Sequence, residues 1–326
     1  MIVKEKFVKV AVVQDSSVIM RKNECIKKIN TLSKEAASKG AKIVLFPEAF
    51  IPAYPRGLFF GTKVGNRSEK GKQDFARYWE NAITIPGTDI DLLCKIAKNN
   101  KVYLIVGVIE RDTEYSGGTL YCTILYFDPS GKLIGKHRKL KPTGSERLIW
   151  GEGDGSTLTV IESPYGKIGG LICWENYMPL ARTAIYSKGV EIYVAPTADA
   201  REQWQATIRH IALEGRCFVL ASNQFVTKDM YPKDLACYEE LESSPEIMSR
   251  GGSAIIDPNG NYIAGPLFDE TGILYGELDL SLIQKSRFDF DVVGHYSRPD
   301  IFQLIVLEKK QEIFKEKKKR EMFCKD

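Results

Sequence analysis

Short apolar runs that alternate with amphipathic segments are the feature of this sequence that most limits its fold. Val8 to Gln14 and Lys42 to Phe46 have the apolar, β-branched character of buried strands. Between them, Ser17 to Lys39 carries apolar residues at helical spacing and is followed by Gly40, a typical helix stop. A chain that repeats this alternation is expected to form an α/β domain in which helices cover the strands.

The same two periodicities predict the remaining elements. Strands are predicted at Val102 to Ile109, Tyr121 to Asp128, Lys132 to Arg138, Leu158 to Glu162, Lys167 to Cys173, Val190 to Ala195, Cys217 to Asn223, Ser253 to Asp257, Tyr262 to Ala264 and Ile273 to Asp279. Helices are predicted at Asp89 to Lys98, Pro179 to Lys188, Arg201 to Leu213 and Leu280 to Ser286. Turn sequences such as Pro129-Ser-Gly and Pro258-Asn-Gly-Asn indicate hairpins, so the sheets are expected to be mixed rather than purely parallel.

The alternation runs without a linker or an internal repeat, so we predict one domain over residues 1–306. Residues 307–326 form a charged tail with eight basic and five acidic side chains. Two segments inside the domain, Pro55 to Gly71 and Thr227 to Arg250, show no clear periodicity. Loops of that length are usually functional or contact a partner, which makes them candidates for a pocket lid or a subunit contact.

Composition excludes several classes of protein. The net charge of +4 comes mostly from the tail, so the body offers no basic stripe for nucleic acid. Seven cysteines without a C-x-x-C pair and three scattered histidines predict neither a disulfide framework nor a metal site. Charges close to the N-terminus and the lack of a run of about 20 apolar residues argue against a signal peptide and a membrane span. We therefore expect a soluble, cytoplasmic protein without metal or cofactor.

Three reactive side chains follow apolar, strand-like stretches. Cys173 ends the run Lys167 to Cys173, Glu48 follows Leu45-Phe-Pro, and Lys139 follows the predicted strand that ends at Arg138. A thiol reacts as a thiolate, so either its pKa must fall or a base must take its proton. A desolvated Glu48 could be that base, and the ammonium of Lys139 could stabilise an anionic intermediate. The three strand ends therefore predict one catalytic pocket.

Other interpretations of these residues stay open from sequence alone. A cysteine at a strand end is more often a small buried hydrophobe, and Glu48 or Lys139 could be a turn residue or a surface charge. His137 lies two residues before Lys139 and would share its strand face, so a Cys–His pair is an alternative. His210 and Glu214, four apart on a predicted helix, are interpreted as a surface pair. The glycine-rich segment 151–156 is interpreted as a turn, because its spacing is wrong for a phosphate loop.

Several motifs, in this order, resemble those of the nitrilase family of thiol-dependent carbon–nitrogen hydrolases. They are Phe46-Pro-Glu-Ala-Phe, His137-Arg-Lys-Leu-Lys-Pro-Thr, Glu146-Arg-Leu-Ile-Trp-Gly-Glu-Gly-Asp-Gly-Ser, Cys173-Trp-Glu-Asn-Tyr-Met-Pro-Leu, Ala195-Pro-Thr-Ala-Asp, His210-Ile-Ala-Leu-Glu-Gly and Val293-Gly-His-Tyr-Ser-Arg-Pro-Asp. The resemblance extends from about residue 7 to residue 306. The Cys173 and Val293 motifs resemble the nitrilase branch, with a plant-like or arylacetonitrilase-like character, more than the amidase branches.

The resemblance implies a four-layer α-β-β-α sandwich with two mixed β-sheets. It also implies that Glu48 is the general base, Lys139 an electrostatic stabiliser, Cys173 the nucleophile, and Glu146 a second glutamate that orients the lysine and the substrate. Gly144-Ser145 departs from the His-Val pair of many relatives, which bears on pocket size and substrate choice. The implied partners are a small nitrile substrate and further copies of the chain, as a homodimer or a larger, spiral homo-oligomer.

The expected reaction is hydrolysis of a nitrile to a carboxylic acid and ammonia through a thioimidate and an acyl-thioester on Cys173. Residues beside the catalytic motifs are expected to form the pocket wall, namely Tyr54, Thr143, Trp174 and Pro196. Two other functions remain open. One is another thiol C–N hydrolase, such as an amidase, a carbamoylase or a cyanide-degrading relative, and the other is an inactive assembly protein that keeps the fold.

Overall fold

The computed structural model describes residues 5–115 and 117–312. Its strands are β1 (Phe7–Gln14), β2 (Ile43–Leu45), β3 (Thr62–Lys63), β4 (Asn66–Arg67), β5 (Ile83–Thr84), β6 (Tyr103–Arg111), β7 (Leu120–Phe127), β8 (Leu133–Arg138), β9 (Val160–Ile161), β10 (Ile168–Gly170), β11 (Ile192–Pro196), β12 (Phe218–Ser222), β13 (Phe225–Thr227), β14 (Ile247–Ile256), β15 (Tyr262–Phe268) and β16 (Gly272–Asp279). Its helices are α1 (Lys22–Ser38), α2 (Glu69–Glu80), α3 (Thr88–Asn100), α4 (Pro179–Ser187), α5 (Glu202–Gly215) and α6 (Ser281–Asp289).

Two mixed sheets contain all but one short ribbon of these strands. The first sheet has the order β16-β1-β2-β6-β7-β8, with β5 beside β6. Its centre is parallel (β1, β2 and β6), whereas β16, β7 and β8 add antiparallel edges. The second sheet has the order β13-β14-β12-β11-β10-β9, with β15 beside β14, and is parallel only through β10, β11 and β12. The prediction of mixed sheets is confirmed.

Side chains alternate between the two faces of each strand, so the core consists of three apolar clusters. One lies between the two sheets, and one lies between each sheet and the helices that cover it. Val10 and Val12 of β1 face the second sheet, where they pack in one cluster with Ile192 and Val194 of β11. Ala11 of β1 faces the opposite way, into a cluster with α1 and α3. Residues of α4 and α5 cover the outer face of the second sheet. The layers are therefore helix, sheet, sheet and helix, which confirms the α-β-β-α sandwich.

Several element boundaries differ from the predictions. Helix α1 begins at Lys22 rather than Ser17, because Ser17 bonds Gln224 and the chain turns at Met20, whose φ is 56°. Strand β10 ends at Gly170, and Cys173 begins a short 3-10 turn instead of ending the strand. Helix α2 was not predicted, because its sequence EKGKQDFARYWE is mostly polar.

The two segments without periodicity contact each other. The first contains the β3–β4 ribbon and the start of α2, and the second contains two 3-10 turns and the start of β14. The Tyr231 hydroxyl donates to the backbone carbonyl of Arg56 at 2.7 Å. The Glu240 carboxylate accepts hydrogen bonds from the backbone N–H groups of Phe59, Phe60 and Gly61 at 2.7, 3.1 and 2.7 Å. We call these two joined segments, 55–61 and 231–250, the loop pair.

Only the first residues of the predicted tail are described, and they lie against the domain. Lys188 pairs with Glu308 at 2.6 Å, and Asp154 accepts from the backbone N–H of Gln311 at 2.7 Å. The rest of the tail, residues 313–326, lies outside the described residues. Within the described ranges, no helix is long and apolar enough to cross a bilayer.

Candidate active site

The side chains that follow β2 and β8 meet directly. Lys139 is the first residue after β8, and its ammonium donates to Oε1 of Glu48 at 2.7 Å. It also donates to Oε2 of Glu146 at 2.7 Å. Both Glu48 and Lys139 are buried, at 1% and 0% exposure. A buried ammonium is tolerated when carboxylates and hydrogen bonds surround it. Lys139 is therefore part of a buried, paired polar cluster and is not a surface lysine.

Glu146 connects this cluster to the cavity wall. It lies in the 3-10 turn Gly144–Leu148, which follows the Lys139 strand end after a short connection. Its Oε1 accepts from the Tyr54 hydroxyl at 2.7 Å, and its Oε2 also accepts from the backbone N–H of Thr143 at 2.7 Å. One carboxylate therefore orients the lysine, the tyrosine and the turn together.

Cys173 reaches the same site from the second sheet. It has a φ of 51°, a left-handed conformation that is uncommon for a residue with a side chain and that must be held by its surroundings. Asn176 contributes to holding it. The side-chain amide nitrogen of Asn176 donates to the Cys173 carbonyl at 2.8 Å, and its side-chain amide oxygen accepts from the Tyr193 hydroxyl at 2.8 Å. The Thr197 hydroxyl lies 3.1 Å from the Cys173 sulfur.

Burial and mutual charge set the protonation of the site. Burial and the negative charge of Glu48 raise the pKa of Cys173 to about 12, although the positive charge of Lys139 opposes them. Burial also raises the pKa of Glu48, again against the charge of Lys139. The two carboxylates hold the pKa of Lys139 well above its usual value, although burial opposes them. The thiol is therefore protonated at neutral pH, and a nearby carboxylate with raised proton affinity can accept that proton.

A cavity of about 370 Å³ opens at the sulfur atom. It is lined by Tyr54, Arg56, Thr143, Glu146, Cys173, Trp174, Ala198, Asp199, Ala200, Arg201, Met248, Ser249 and Arg250. Three of the four residues expected in the pocket wall, Tyr54, Thr143 and Trp174, lie there. Pro196 does not, because it ends β11 inside the second sheet, and its neighbour Thr197 is the residue that turns towards the sulfur.

Several cavity residues were not singled out from the sequence. Asp199 accepts from the Trp174 ring nitrogen at 2.8 Å and pairs with Arg201 at 2.6 Å, and the Arg201 guanidinium stacks on the Trp174 ring. Asp199 ends the Ala195-Pro-Thr-Ala-Asp motif, so the family resemblance could have identified it as a site residue. Arg56 and Arg250 come from the loop pair, and no local pattern indicates that these segments meet at the cavity.

The alternative Cys–His pair is not supported. Both ring nitrogens of His137 are used elsewhere, because Nδ1 lies 3.0 Å from the Thr157 carbonyl and Nε2 lies 3.0 Å from the Glu175 carboxylate. His210 and Glu214 are 3.5 Å apart on α5, but only His210 is exposed, because Glu214 is partly buried and pairs with Arg182 at 2.7 Å. Within residues 5–115 and 117–312, no three His, Cys, Asp or Glu side chains form a group that could hold a metal ion.

Comparisons with known proteins identify the family of the chain. The carbon–nitrogen hydrolase family profile matches residues 9–288. The chain is 53% identical over 303 residues to the bifunctional nitrilase/nitrile hydratase NIT4A of Lupinus angustifolius, covering 92% of this chain and 86% of that protein. It is 51% identical over 297 residues to the aliphatic nitrilase of Sinorhizobium fredii, covering 91% of this chain and 94% of that protein.

Solved structures show the same fold at lower identity. Saccharomyces cerevisiae Nit3, a member of branch 10 of the nitrilase superfamily, superposes with a TM-score of 0.69 at 24% identity, covering 90% of this chain and 98% of that chain. The C. elegans NitFhit protein gives a TM-score of 0.71 at 19% identity, covering 95% of this chain and 69% of that chain. Because the family profile spans most of the chain and relatives named nitrilases are about half identical over nine-tenths of it, the chain belongs to the carbon–nitrogen hydrolase family.

Proposed function

We propose that the protein hydrolyses an organic nitrile to the carboxylic acid and ammonia, with Cys173 as nucleophile. The observation that carries this proposal is the buried Glu48–Lys139–Glu146 cluster beside a cysteine that opens into a cavity. Relatives at about half identity are named nitrilases, which supports a nitrile as substrate. No step of the chemistry calls for a cofactor.

The first half of the reaction forms a thioimidate. Glu48 takes the proton from the Cys173 thiol while the sulfur attacks the nitrile carbon, because a thiol with a pKa of about 12 needs a base at neutral pH. The nitrile nitrogen gains negative charge and then a proton. Lys139 and the backbone N–H of Trp174, which lies in the first turn of a 3-10 helix, would stabilise that charge.

The second half releases the products. A water activated by Glu48 adds to the thioimidate carbon, and the tetrahedral intermediate expels ammonia to leave an acyl-thioester. A second water adds to the thioester carbon, the carbon–sulfur bond breaks, and the thiolate takes back a proton. The sum is one nitrile and two waters in, and one acid and one ammonia out. Expulsion of the thiolate from the first tetrahedral intermediate would instead give an amide.

The amide is therefore the second product to be measured. Relatives whose names pair nitrilase with nitrile hydratase activity favour this branch as a candidate side reaction. Ammonia, acid and amide are to be quantified together with aliphatic, aryl and arylacetonitrile substrates. Paired nitrile and amide substrates distinguish a nitrilase from an amidase or carbamoylase, and cyanide tests for a cyanide-degrading enzyme.

Replacement of the nucleophile tests the proposal directly. Cys173→Ala is expected to abolish ammonia release from every nitrile in the panel. Cys94→Ala is the matched control, because Cys94 lies in α3 and is remote from the cavity lining. Retained turnover by Cys173→Ala would overturn the assignment. An inactive assembly protein would show neither turnover nor substrate-protected alkylation of Cys173.

We propose that Trp174 shapes the cavity for the substrate, since the residue is 39% exposed and its ring contacts Asp199 and Arg201. Trp174→Ala should shift the preference between small and bulky nitriles. An unchanged substrate profile would return this residue to a packing role.

We also propose that copies of the chain associate. A groove of about 970 Å³ runs between α4 and residues 292–305, and it is lined by exposed apolar side chains such as Leu180, Phe302 and Ile305. An apolar patch of this kind marks a protein–protein contact. The segments Pro55 to Gly71 and Thr227 to Arg250, suggested from the sequence as contact surfaces, are partly used within the chain. The cytoplasmic location expected from the sequence stays a prediction.

A further inference from the structure

A buried ion pair lies behind the active site and has no part in the reaction proposed above. His137 is completely buried and Glu175 is 1% exposed, and neither residue lines the cavity. Burying two ionisable groups costs free energy that their mutual attraction only partly returns. The contacts of this pair indicate what it does for the site.

The Glu175 carboxylate connects the strand ends that carry Lys139 and Cys173. Its Oε1 accepts from the backbone N–H of Leu140 at 2.6 Å, and Leu140 directly follows Lys139. Its Oε2 accepts from the backbone N–H of Ile172 at 2.7 Å, and Ile172 directly precedes Cys173. Because β8 belongs to the first sheet and β10 to the second, one side chain connects the two sheets at the catalytic residues.

His137 holds that carboxylate from the other side. Its Nε2 lies 3.0 and 3.2 Å from the two oxygens of Glu175, and its Nδ1 lies 3.0 Å from the carbonyl oxygen of Thr157. Both neighbours are acceptors, so both ring nitrogens can donate only if the ring is an imidazolium. Hydrogen bonds between an imidazolium and a carboxylate are shorter and stronger than neutral ones.

The other groups around the pair add no competing charge. The hydroxyls of Tyr126 and Tyr193 come from the strands beneath Glu175, and burial raises their pKa values, so they stay neutral. The neighbours of His137 along β8, Lys136 and Arg138, point to the opposite face and both bind Glu110. Glu175 is therefore the acidic side chain that faces the imidazolium.

We propose that His137 and Glu175 are positioning residues that fix the separation of Lys139 from Cys173 and hold the strained cysteine backbone in place. A backbone conformation such as that of Cys173 persists only when its surroundings over-determine it, and Glu175 anchors the residue immediately before it. The kinetic test of this inference rests on the proposed function, because it needs nitrile turnover. The test by alkylation of Cys173 does not.

Glu175→Gln tests the pair with little change in shape. The glutamine amide cannot accept from both backbone N–H groups, so one strand end is released. We expect kcat to fall roughly 10- to 100-fold with KM changed by less than about threefold, because misplacement affects the transition state more than binding. Alkylation of Cys173 by iodoacetamide, followed on the peptide that contains it, should slow as well.

Glu110→Gln is the matched control. Glu110 is also a buried carboxylate, 2% exposed, and it pairs with Lys136 and Arg138 of β8. It binds the side chains of these two residues, whereas Glu175 binds the backbone N–H groups beside Lys139 and Cys173. The Glu110→Gln change should lower the melting temperature while leaving kcat and the alkylation rate of Cys173 near the wild-type values. A folded Glu175→Gln protein with kcat within about twofold of wild type, or an equal loss of kcat in both variants, would overturn the proposal.

His137→Gln covers the case in which Glu175→Gln does not fold. Its amide can still donate to Glu175, but the charge is removed. The Glu175 charge raises the pKa of His137, although burial opposes it, so the ion pair stabilises the site below the pKa of a free histidine. That contribution is lost as pH rises through the raised pKa of the folded state. Wild-type kcat should therefore decline through that range, and His137→Gln should lack this limb; identical limbs would refute the role of the charge.

The two proposals fail in different ways. Absence of nitrile turnover by the wild-type protein would contradict the proposed function alone. In that case the alkylation rate of Cys173 in the wild-type, Glu175→Gln and Glu110→Gln proteins still decides the positioning role, because iodoacetamide reports on the thiol and needs no nitrile. Equal alkylation rates in all three would reject it.

Discussion

Lys139 carries a positive charge without any exposed side-chain surface, and two carboxylates make that tolerable. The sequence alone identifies Glu48, Lys139 and Cys173 as reactive types at strand ends. It cannot supply their separation, because they lie on two sheets and 91 residues separate Glu48 from Lys139. Glu146 was expected from the family resemblance alone, and its contact with Lys139 is a result of the turn that follows β8.

Glu146→Gln should leave the fold intact and impair catalysis. The variant keeps the contact with Tyr54 but loses the negative charge that orients Lys139, so kcat should fall roughly 100-fold, as for other preorganised electrostatic groups. Steady-state kinetics on an accepted nitrile measures this loss. The control is Glu152→Gln, whose carboxylate pairs with Lys141 at the surface. A kcat within about threefold of wild type would contradict the orienting role.

The pH dependence of kcat/KM should report Glu48. Burial raises the pKa of this carboxyl group, against the charge of Lys139, and only the ionised form can accept the thiol proton. Activity should therefore rise with pH through a value above about 4.3, the ordinary pKa of a glutamic acid. Circular dichroism at each pH separates this limb from unfolding. A rate that is constant down to the ordinary pKa would exclude Glu48 as the base.

At the scale of elements, helices with frequent apolar residues were predicted, and α2, in which such residues are few, was not. Helices α1, α3, α4 and α5 were predicted because each presents one apolar face to a sheet, whereas α2 buries only a few residues and was missed. A local signal for α2 was present, since Ser68 caps it by accepting from the backbone N–H of Gly71 at 3.0 Å. The loop pair had no such signal, because its contacts join segments about 180 residues apart.

Glu240→Gln should loosen the loop pair. The amide can accept fewer of the three backbone hydrogen bonds from residues 59–61, so the free energy of unfolding should fall by about 1–2 kcal/mol. KM should rise, because Arg56 and Arg250 line the cavity from the two halves of the pair. Denaturant unfolding and steady-state kinetics measure the two effects. Glu242→Gln, at an exposed position nearby, is the control, and equal effects of both changes would contradict this role of Glu240.

At the scale of the whole molecule, the apolar groove beside α4 is the surface that bears on association between copies of the chain. Leu180 is 68% exposed and Phe302 76% exposed, on the two sides of the groove beside α4. Burying such side chains against a second copy would contribute roughly 1.5–3 kcal/mol each. We therefore predict an oligomer rather than a monomer.

Leu180→Asp combined with Phe302→Asp should reduce the mass of the particle in solution. A charge on each side of the groove would have to be desolvated in the contact, which weakens it. Light scattering after size-exclusion chromatography measures the mass. Val64→Asp is the control, because Val64 is fully exposed at the β3–β4 ribbon, outside the groove. A wild-type monomer, or an unchanged mass in the double variant, would contradict this contact.

The sequence by itself determined the fold class, because the spacing of apolar residues decides which segments are strands or helices and which face of each is buried. It also placed a carboxylate, an ammonium and a thiol, those of Glu48, Lys139 and Cys173, at or just after three strand-like segments. Only the tertiary structure decided that Lys139 lies between two carboxylates, that Thr197 rather than Pro196 faces the sulfur, and that Glu175 joins the two sheets. Each of these three arrangements depends on a contact between residues 24 to 91 positions apart, and local periodicity carries no information about which distant segments meet.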